Sequence, residues 1–295
     1  MDKQQKVTIE GEELLDSIPS GSGITLWNDS LFIITDDAPY IYRISLDDYG
    51  YSRTLLRGYD SADYRIPKPV KPDFETAAAG KLNGEEYIFA FGSGSKSPTR
   101  DSLLILKASN VTDQRIVPLT SLYRHLQTET KTPADQWNIE GLAITNDTLL
   151  LFNRGSNMVI EINWKVFTRF LTEGTLPTPG AHYLLQLPEH EGHLARISGA
   201  CTLNDAGDIL FCASIEDTPN WYTDGPVVGS YIGIFNRKSR QVQFVQILKD
   251  NQGRVLKEKV ESVEVLEQNA DGSIKAIAIT DNDKGNSRLL EIVIR

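Results

Sequence analysis

The 295-residue chain has only two cysteines, Cys201 and Cys212, two methionines and four histidines. Two cysteines cannot build the disulfide framework of a small secreted domain. They fall on what read as neighbouring strands, where two buried thiols or a single disulfide fit. Zinc has few ligands to draw on. There is no His-Glu-x-x-His pair, and His190 and His193 flank Glu191 in a turn that reads as solvated loop. A Gly-x-Ser-x-Gly elbow and a Walker loop are also missing, which excludes the hydrolases and nucleotide triphosphatases built on them. No apolar run approaches the roughly 18 residues of a membrane helix, so no membrane is expected as a partner. The first six residues are polar and lack the apolar centre of a signal peptide. A cytoplasmic location is the expectation, or an extracytoplasmic one if a natural leader precedes Met1. Basic residues are outnumbered by acidic ones, 30 to 40, and form no run of five or six. A net charge of −10 repels a phosphate backbone, so nucleic acid is not an expected partner either.

What the sequence does contain is a repeat. A small or acidic residue opens a short alternating strand, a polar turn follows, and a strongly apolar strand ends in polar residues. The copies start at Ser22, Glu75, Glu140, Ser198 and Glu261, at spacings of 53, 65, 58 and 63 residues. The turns are Asn28-Asp29-Ser30, Asn83-Gly84, Asn146-Asp147, Asn204 to Gly207 and Ala270-Asp271-Gly272, all turn-forming chemistry. Third strands read at residues 41–46, 102–107, 158–162, 231–235 and 289–294, and fourth strands at 52–56, 114–118, 183–187 and 241–248. A four-stranded propeller blade takes roughly 40 to 50 residues plus loops, so each repeat is one blade. The fifth copy ends at Arg295 without a fourth strand, and residues 6–9 can supply it. The expected fold is all-β, a five-bladed β-propeller spanning residues 1–295 as a single domain and closed by its two termini. A six-bladed ring, with a blade hidden in the longer connections, is the alternative. Short helices are expected near residues 122–127 and 164–172.

In a propeller the innermost strand of each blade lines the central channel. The opening residues Ser22, Glu75, Glu140, Ser198 and Glu261 should therefore converge there. Two carboxylates ~5 Å apart repel by about 3 kcal/mol at an effective dielectric of ~20. Three of them either take up protons or hold a cation. Carboxylates, hydroxyls and carbonyls are hard oxygen ligands that suit Ca²⁺, so these five residues form the expected metal ring. The ends of the second strands gather on one face: Asp36, Asp37, Ser93, Ser95, Lys96, Arg100, Asn153, Arg154, Glu216, Asp217, Asp281 and Asp283. The stretch Gly92-Ser93-Gly94-Ser95-Lys96 can form a backbone nest for an anion. Lys96, Arg100 and Arg154 can pair with a phosphate, and Asp36 or Asp37 can serve as a general base. Trp221 and Tyr222 offer flat faces to a sugar or base, or pin their own loop. The run Asp281 to Gly285 lacks the closing Glu of an EF-hand and reads as a turn.

These residues resemble the calcium-activated nucleotidases, or apyrases, which are five-bladed propellers with a central Ca²⁺ that hydrolyse nucleoside di- and triphosphates. The ring order Ser, Glu, Glu, Ser, Glu is similar. Asp36-Asp37 resembles that family's double aspartate after the first hairpin, Gly92-Ser93-Gly94 its glycine-rich turn, Arg154 its arginine after the third hairpin, and Glu216-Asp217 its acidic stretch after the fourth. Ala38 stands where the family has an arginine, which removes one phosphate contact. The stretches Asp73-Phe74-Glu75, Gly92-Ser93-Gly94-Ser95 and Asn138-Ile139-Glu140-Gly141 also look like those of an uncharacterised group of bacterial propellers, with a looser similarity to phytase-like and esterase-like propellers. What these resemblances imply is a calcium-dependent phosphohydrolase acting at Asp36, Asp37 and Arg154. A small anionic or phosphorylated ligand would be held by Ser93, Ser95, Lys96, Arg100, Glu216 and Asp217. The residues are equally compatible with a non-catalytic ligand- or protein-binding propeller whose calcium is structural, or whose channel is empty.

Overall fold

The computed structural model describes residues 5–61, 64–218, 225–281 and 285–295. Five four-stranded antiparallel sheets form the blades. Blade 1 runs Gly21–Trp27, Ser30–Thr35, Tyr40–Ser45 and Tyr51–Leu55 from the axis outward. Blade 2 is Phe74–Leu82, Glu85–Gly92, Ser102–Lys107 and Asn110–Pro118, and blade 3 is Ile139–Ile144, Thr148–Asn153, Met158–Asn163 and Ala181–Leu184. Blade 4 is Arg196–Thr202, Ile209–Glu216, Val227–Asn236 and Gln241–Ile247. Blade 5 takes Lys259–Gln268, Ile274–Asp281 and Ser287–Ile294 from the C-terminal end and Val7–Leu15 from the N-terminal end. Val7 pairs with Ile294 and Leu15 with Ser287, so the termini close the ring within one blade and the edge of the C-terminal strand is covered. This closing strand is longer than residues 6–9, because a bulge between Ile9 and Gly11 lets the pairing continue past a residue that breaks the alternation.

The hairpins follow from the turn residues. Asn83 and Gly84 both take positive φ, 53° and 83°, the conformation a two-residue hairpin needs to match strand twist. Apolar side chains are buried at five blade junctions. Ile34 and Ala77 share one cluster between blades 1 and 2, Leu151 and Phe89 one between blades 2 and 3, and Phe211 and Leu150 one between blades 3 and 4. Cys212 and Ala278 meet between blades 4 and 5, and Ile277 and Ile33 between blades 5 and 1. Each sheet is thus covered on both faces. That is why the second strands read as unbroken apolar runs.

The helices Thr120–Thr130 and Trp164–Glu173 lie in the long connections where short helices were expected. Asn163 caps the second through its side chain, which accepts from the Val166 amide at 3.2 Å. Phe167 and Phe170 of this helix pack into the blade 2–3 cluster. Cys201 and Cys212 are free, buried thiols, and burial pushes Cys212 up to about 12. They are core residues without nucleophilic character at neutral pH. No helix among the described residues is long and apolar enough to cross a membrane.

Candidate functional site at the channel mouth

Every inner strand carries a β-bulge near its start. The register shifts between Gly21 and Gly23, Phe74 and Thr76, Ile139 and Gly141, Ile197 and Gly199, and Val260 and Ser262. The extra residue at each shift is Ser22, Glu75, Glu140, Ser198 or Glu261. A bulge re-aims one side chain out of the pleat, and here it does so five times around the axis. The residues after the bulges are small because neighbouring inner strands approach closely. A Cβ on Gly23 would lie 2.8 Å from the Ala77 nitrogen, and one on Gly199 2.6 Å from the Ser262 Cα.

A cavity of about 620 Å³ opens at this end of the channel. Its wall carries eight acidic and six basic residues, so the mouth is close to charge balance rather than strongly acidic. The basic residues explain how clustered carboxylates coexist. Lys71 sits between Asp36 and Asp73, bonding the former and lying 2.6 Å from the latter. Arg100 adds a second cation 2.7 Å from Asp73. Across the channel Arg154 lies 3.3 Å from Glu140 and 2.9 Å from Glu216, and Lys259 lies 3.6 Å from Glu216 and 2.9 Å from Glu261. The repulsion expected of the glutamate ring is therefore met largely by the chain's own cations. Burial pushes Glu261 up to about 8, against the pull of Lys259, and pushes Glu140 up despite Arg154. Burial lifts Asp73 too, but Lys71 and Arg100 outweigh it and hold the carboxyl below the usual range. Asp36 has only Lys71 against burial and the charge of Asp37, and rises to about 6.

The five ring residues do not act as one set. Ser22 and Ser198 donate their hydroxyls to the next blade, to the carbonyls of Phe74 and of Val260 (2.6 Å), and so stitch blades 1 to 2 and 4 to 5. Glu140 and Glu261 are committed to Arg154 and Lys259. Glu75 alone makes no hydrogen bond or ion pair among the described residues. Burial, then the charges of Asp73 and Asp36, raise it well above the usual carboxylate range. Asp36, Asp73 and Glu75 bring carboxylate oxygens within 4.8 Å of one another. Oxygens sharing one Ca²⁺ at about 2.3–2.6 Å can be at most about 5 Å apart, so the trio fits a divalent cation by distance. The donor set thus differs from the five-residue ring expected from the repeat.

The rim residues also sort differently. Asp36 lines the cavity, whereas Asp37 turns away and is held by Arg65, whose Nε donates to it at 2.8 Å. The amides of Ser93, Gly94 and Ser95 already donate to Asp73 O, Arg100 O and Ser93 Oγ, so this loop is a packed turn and offers no nest for an anion. Gly94 is required by a positive φ of 70° and by Trp137, 2.6 Å from where its Cβ would be. Ser95 and Lys96 face the cavity. Lys96 and Lys68 are exposed cations on its wall and form no ion pair among the described residues. Asp217 lies outside the wall, 3.6 Å from His193 of a small hairpin at Glu189–His190 and His193–Leu194. Trp221 and Tyr222, and the turn residues Asn282, Asp283 and Lys284, fall outside the described residues.

Sequence reasoning missed Lys68, Lys71, Asp135 and Lys259 on the wall, and gave Asp73 and Asn138 no role in it. Part of this had a signal. Two residues before each bulge stand Ser20, Asp73, Asn138, Arg196 and Lys259, a second polar ring in the same repeat. Lys68 and Lys71 come from the connection between blades 1 and 2, which has no counterpart elsewhere in the chain.

The chain belongs to DUF6929, a family of unknown function, whose model matches residues 17–294. No curated protein matches it. Among solved structures it is similar to glutaminyl cyclase of Myxococcus xanthus, with 12% identity over 99% of this chain and 97% of that one and a TM-score of 0.52. It is also similar to the PQQ-bound aldose sugar dehydrogenase of Streptomyces coelicolor, with 10% identity over 99% of each chain and a TM-score of 0.46. A luciferin-regenerating enzyme aligns at 10% identity over 97% of this chain and 95% of that one, TM-score 0.49. At 12% identity the likeness to the glutaminyl cyclase shows the fold alone. The family match is not to the nucleotidases or the phytase-like propellers, so what those resemblances imply passes to the proposal that follows.

Proposed function

We propose that the protein binds Ca²⁺ at Asp36, Asp73 and Glu75, together with a small oxyanion ligand, a phosphoester being the leading class, in the channel-mouth cavity. The observation that carries this reading is the carboxylate of Glu75, without a hydrogen bond or ion pair among the described residues and within reach of two aspartates. Asp36 Oδ1 is buried without a hydrogen-bond partner among the described residues, and such a group costs free energy until something binds it. Lys68 and Lys96 supply positive charge on the same wall, where they can meet an anion as point charges. In a melt of chelator-treated protein, Ca²⁺ at a hundredfold excess over its dissociation constant is expected to add about 2.7 kcal/mol of stability. Glu75→Gln should abolish most of that shift. No shift in the parent, with no calcium found in untreated protein by elemental analysis, would remove the calcium reading.

A second reading, hydrolysis of the ester, is favoured by Asp36. It faces the cavity, and its Oδ1 has no hydrogen-bond partner among the described residues, so one oxygen can sit on the ion while the other accepts a proton. Bound Ca²⁺ would supply Lewis acidity to the phosphoryl group, while Asp36 would take the proton from the attacking water. Calcium-dependent release of phosphate from p-nitrophenyl phosphate is then expected, reduced by about 10²-fold or more in Asp36→Asn even at calcium concentrations that saturate the variant. Calcium binding without any release would leave a binding protein.

A further inference from the structure

The trio Asp36, Asp73 and Glu75 already has a cation beside it. Lys71 reaches it from the connection between blades 1 and 2, where Pro67, Pro69 and Pro72 stiffen the chain. The Val70 and Lys71 amides donate to Pro67 O at 2.9 and 3.1 Å, and the Ile66 amide donates to Asp37 O. Arg65 pins the start of this strap through Asp37 and, at 2.6 Å, through Ser20 Oγ. The strap backbone is therefore fixed, while the lysine side chain has four rotatable bonds. Its ammonium bonds Asp36 and lies 2.6 Å from Asp73. Those are two of the three carboxylates that a metal would need.

We propose that Lys71 is an exchangeable counter-cation: Ca²⁺ binds by displacing its ammonium from Asp36 and Asp73, and the freed lysine turns toward the anionic ligand beside Lys68 and Lys96. This rests on the calcium reading above and adds a coupling to it. Without metal, Lys71 is spent on the aspartates and the cavity wall offers an anion two lysines, Lys68 and Lys96, that form no ion pair among the described residues. With metal bound it offers three, so cation and anion each favour the other's binding, reciprocally. The exchange also makes the metal site weaker than its carboxylates alone would be, because part of the binding free energy goes into breaking the lysine contacts.

Two measurements test this. First, parent protein is acetylated with a limiting amine-reactive ester, with and without Ca²⁺, and the sites are read by mass spectrometry. Calcium should raise modification of Lys71 severalfold and leave Lys68 and Lys96 near their starting levels. Second, Ca²⁺ affinity is compared in parent and Lys71→Met by calorimetry. The variant should bind about tenfold or more tightly, since an opposing cation is gone. Should Lys71→Met fold only with calcium present, that dependence supports the exchange, and the acetylation of the parent stands independently. Equal affinities with unchanged Lys71 modification would overturn the exchange and leave the calcium site standing. No calcium binding to either protein would overturn both.

Discussion

Replacing Arg154 by methionine is expected to lower stability by about 3–5 kcal/mol, the cost of removing one partner from a buried ionic network. The Arg154 side chain is only 3% exposed. It pairs with Glu140 and Glu216, donates to Ser214 Oγ at 2.8 Å, and donates to the Ile197 carbonyl at 3.3 Å. It directly follows the Thr148–Asn153 strand of blade 3, and three of these four partners belong to blade 4. The substitution therefore takes the nearest cation from two buried carboxylates, leaving Glu140 its Asn138 hydrogen bond and Glu216 the more distant Lys259, and cuts a stitch between blades at once. The triple variant Arg154→Met, Glu140→Gln, Glu216→Gln should recover a large part of the loss, because neither carboxylate then carries the charge that Arg154 balanced. Urea unfolding of the three proteins reads both effects. The outcome also decides how the sequence resemblance applies to this residue. A nucleotidase-like role needs Arg154 free to hold a phosphate, whereas the structure commits its guanidinium to the protein. An Arg154→Met protein as stable as the parent, but unable to bind phosphate, would return the residue to the ligand.

The fold was legible because the signals were local and repeated. Asn83-Gly84 and its counterparts mark hairpins, and the second strands are apolar throughout because blades bury both faces. The residue opening each repeat is the bulged one, and four of the five, Ser22, Glu75, Glu140 and Glu261, line the cavity, whereas Ser198 is buried against the next blade. What the repeat could not show was which of them already have partners. Charge alone gave an acidic channel. The cations that balance it come from one step earlier in the repeat, as with Lys259, from the end of a second strand, as with Arg154, or from an unrepeated connection, as with Lys71. Only the first two are visible as a pattern, and neither spacing nor composition reveals that Lys71 folds back onto Asp36. Likewise Gly92-Ser93-Gly94-Ser95 has the composition of an anion nest, and it fails as one because Asp73, Arg100 and Ser93 take its amides, contacts set by tertiary packing.

The second large effect is on the pH dependence of stability, and Glu261 is its source. The ordinary glutamate value is 4.5, and in the folded protein burial lifts Glu261 to about 8. The folded state therefore holds a proton that the unfolded chain has released throughout that interval. Stability must then fall as pH rises through it. The contribution is fully present below about 4.5 and gone above about 8, with a ceiling of about 5 kcal/mol at 1.4 kcal/mol per unit. The groups facing Glu261 pull both ways: Lys259 favours its ionised form, Glu140 and Asp281 disfavour it, and burial outweighs them. Glu261→Gln keeps the shape and cannot ionise. Relative to the parent, its stability should climb steadily between pH 5 and 8, by roughly 2 kcal/mol or more, in urea melts at fixed ionic strength. Parallel profiles would mean that Lys259 keeps the carboxylate ionised at all these pH values. The mouth would then be a fixed set of ion pairs, with protonation playing no part in holding its glutamates together.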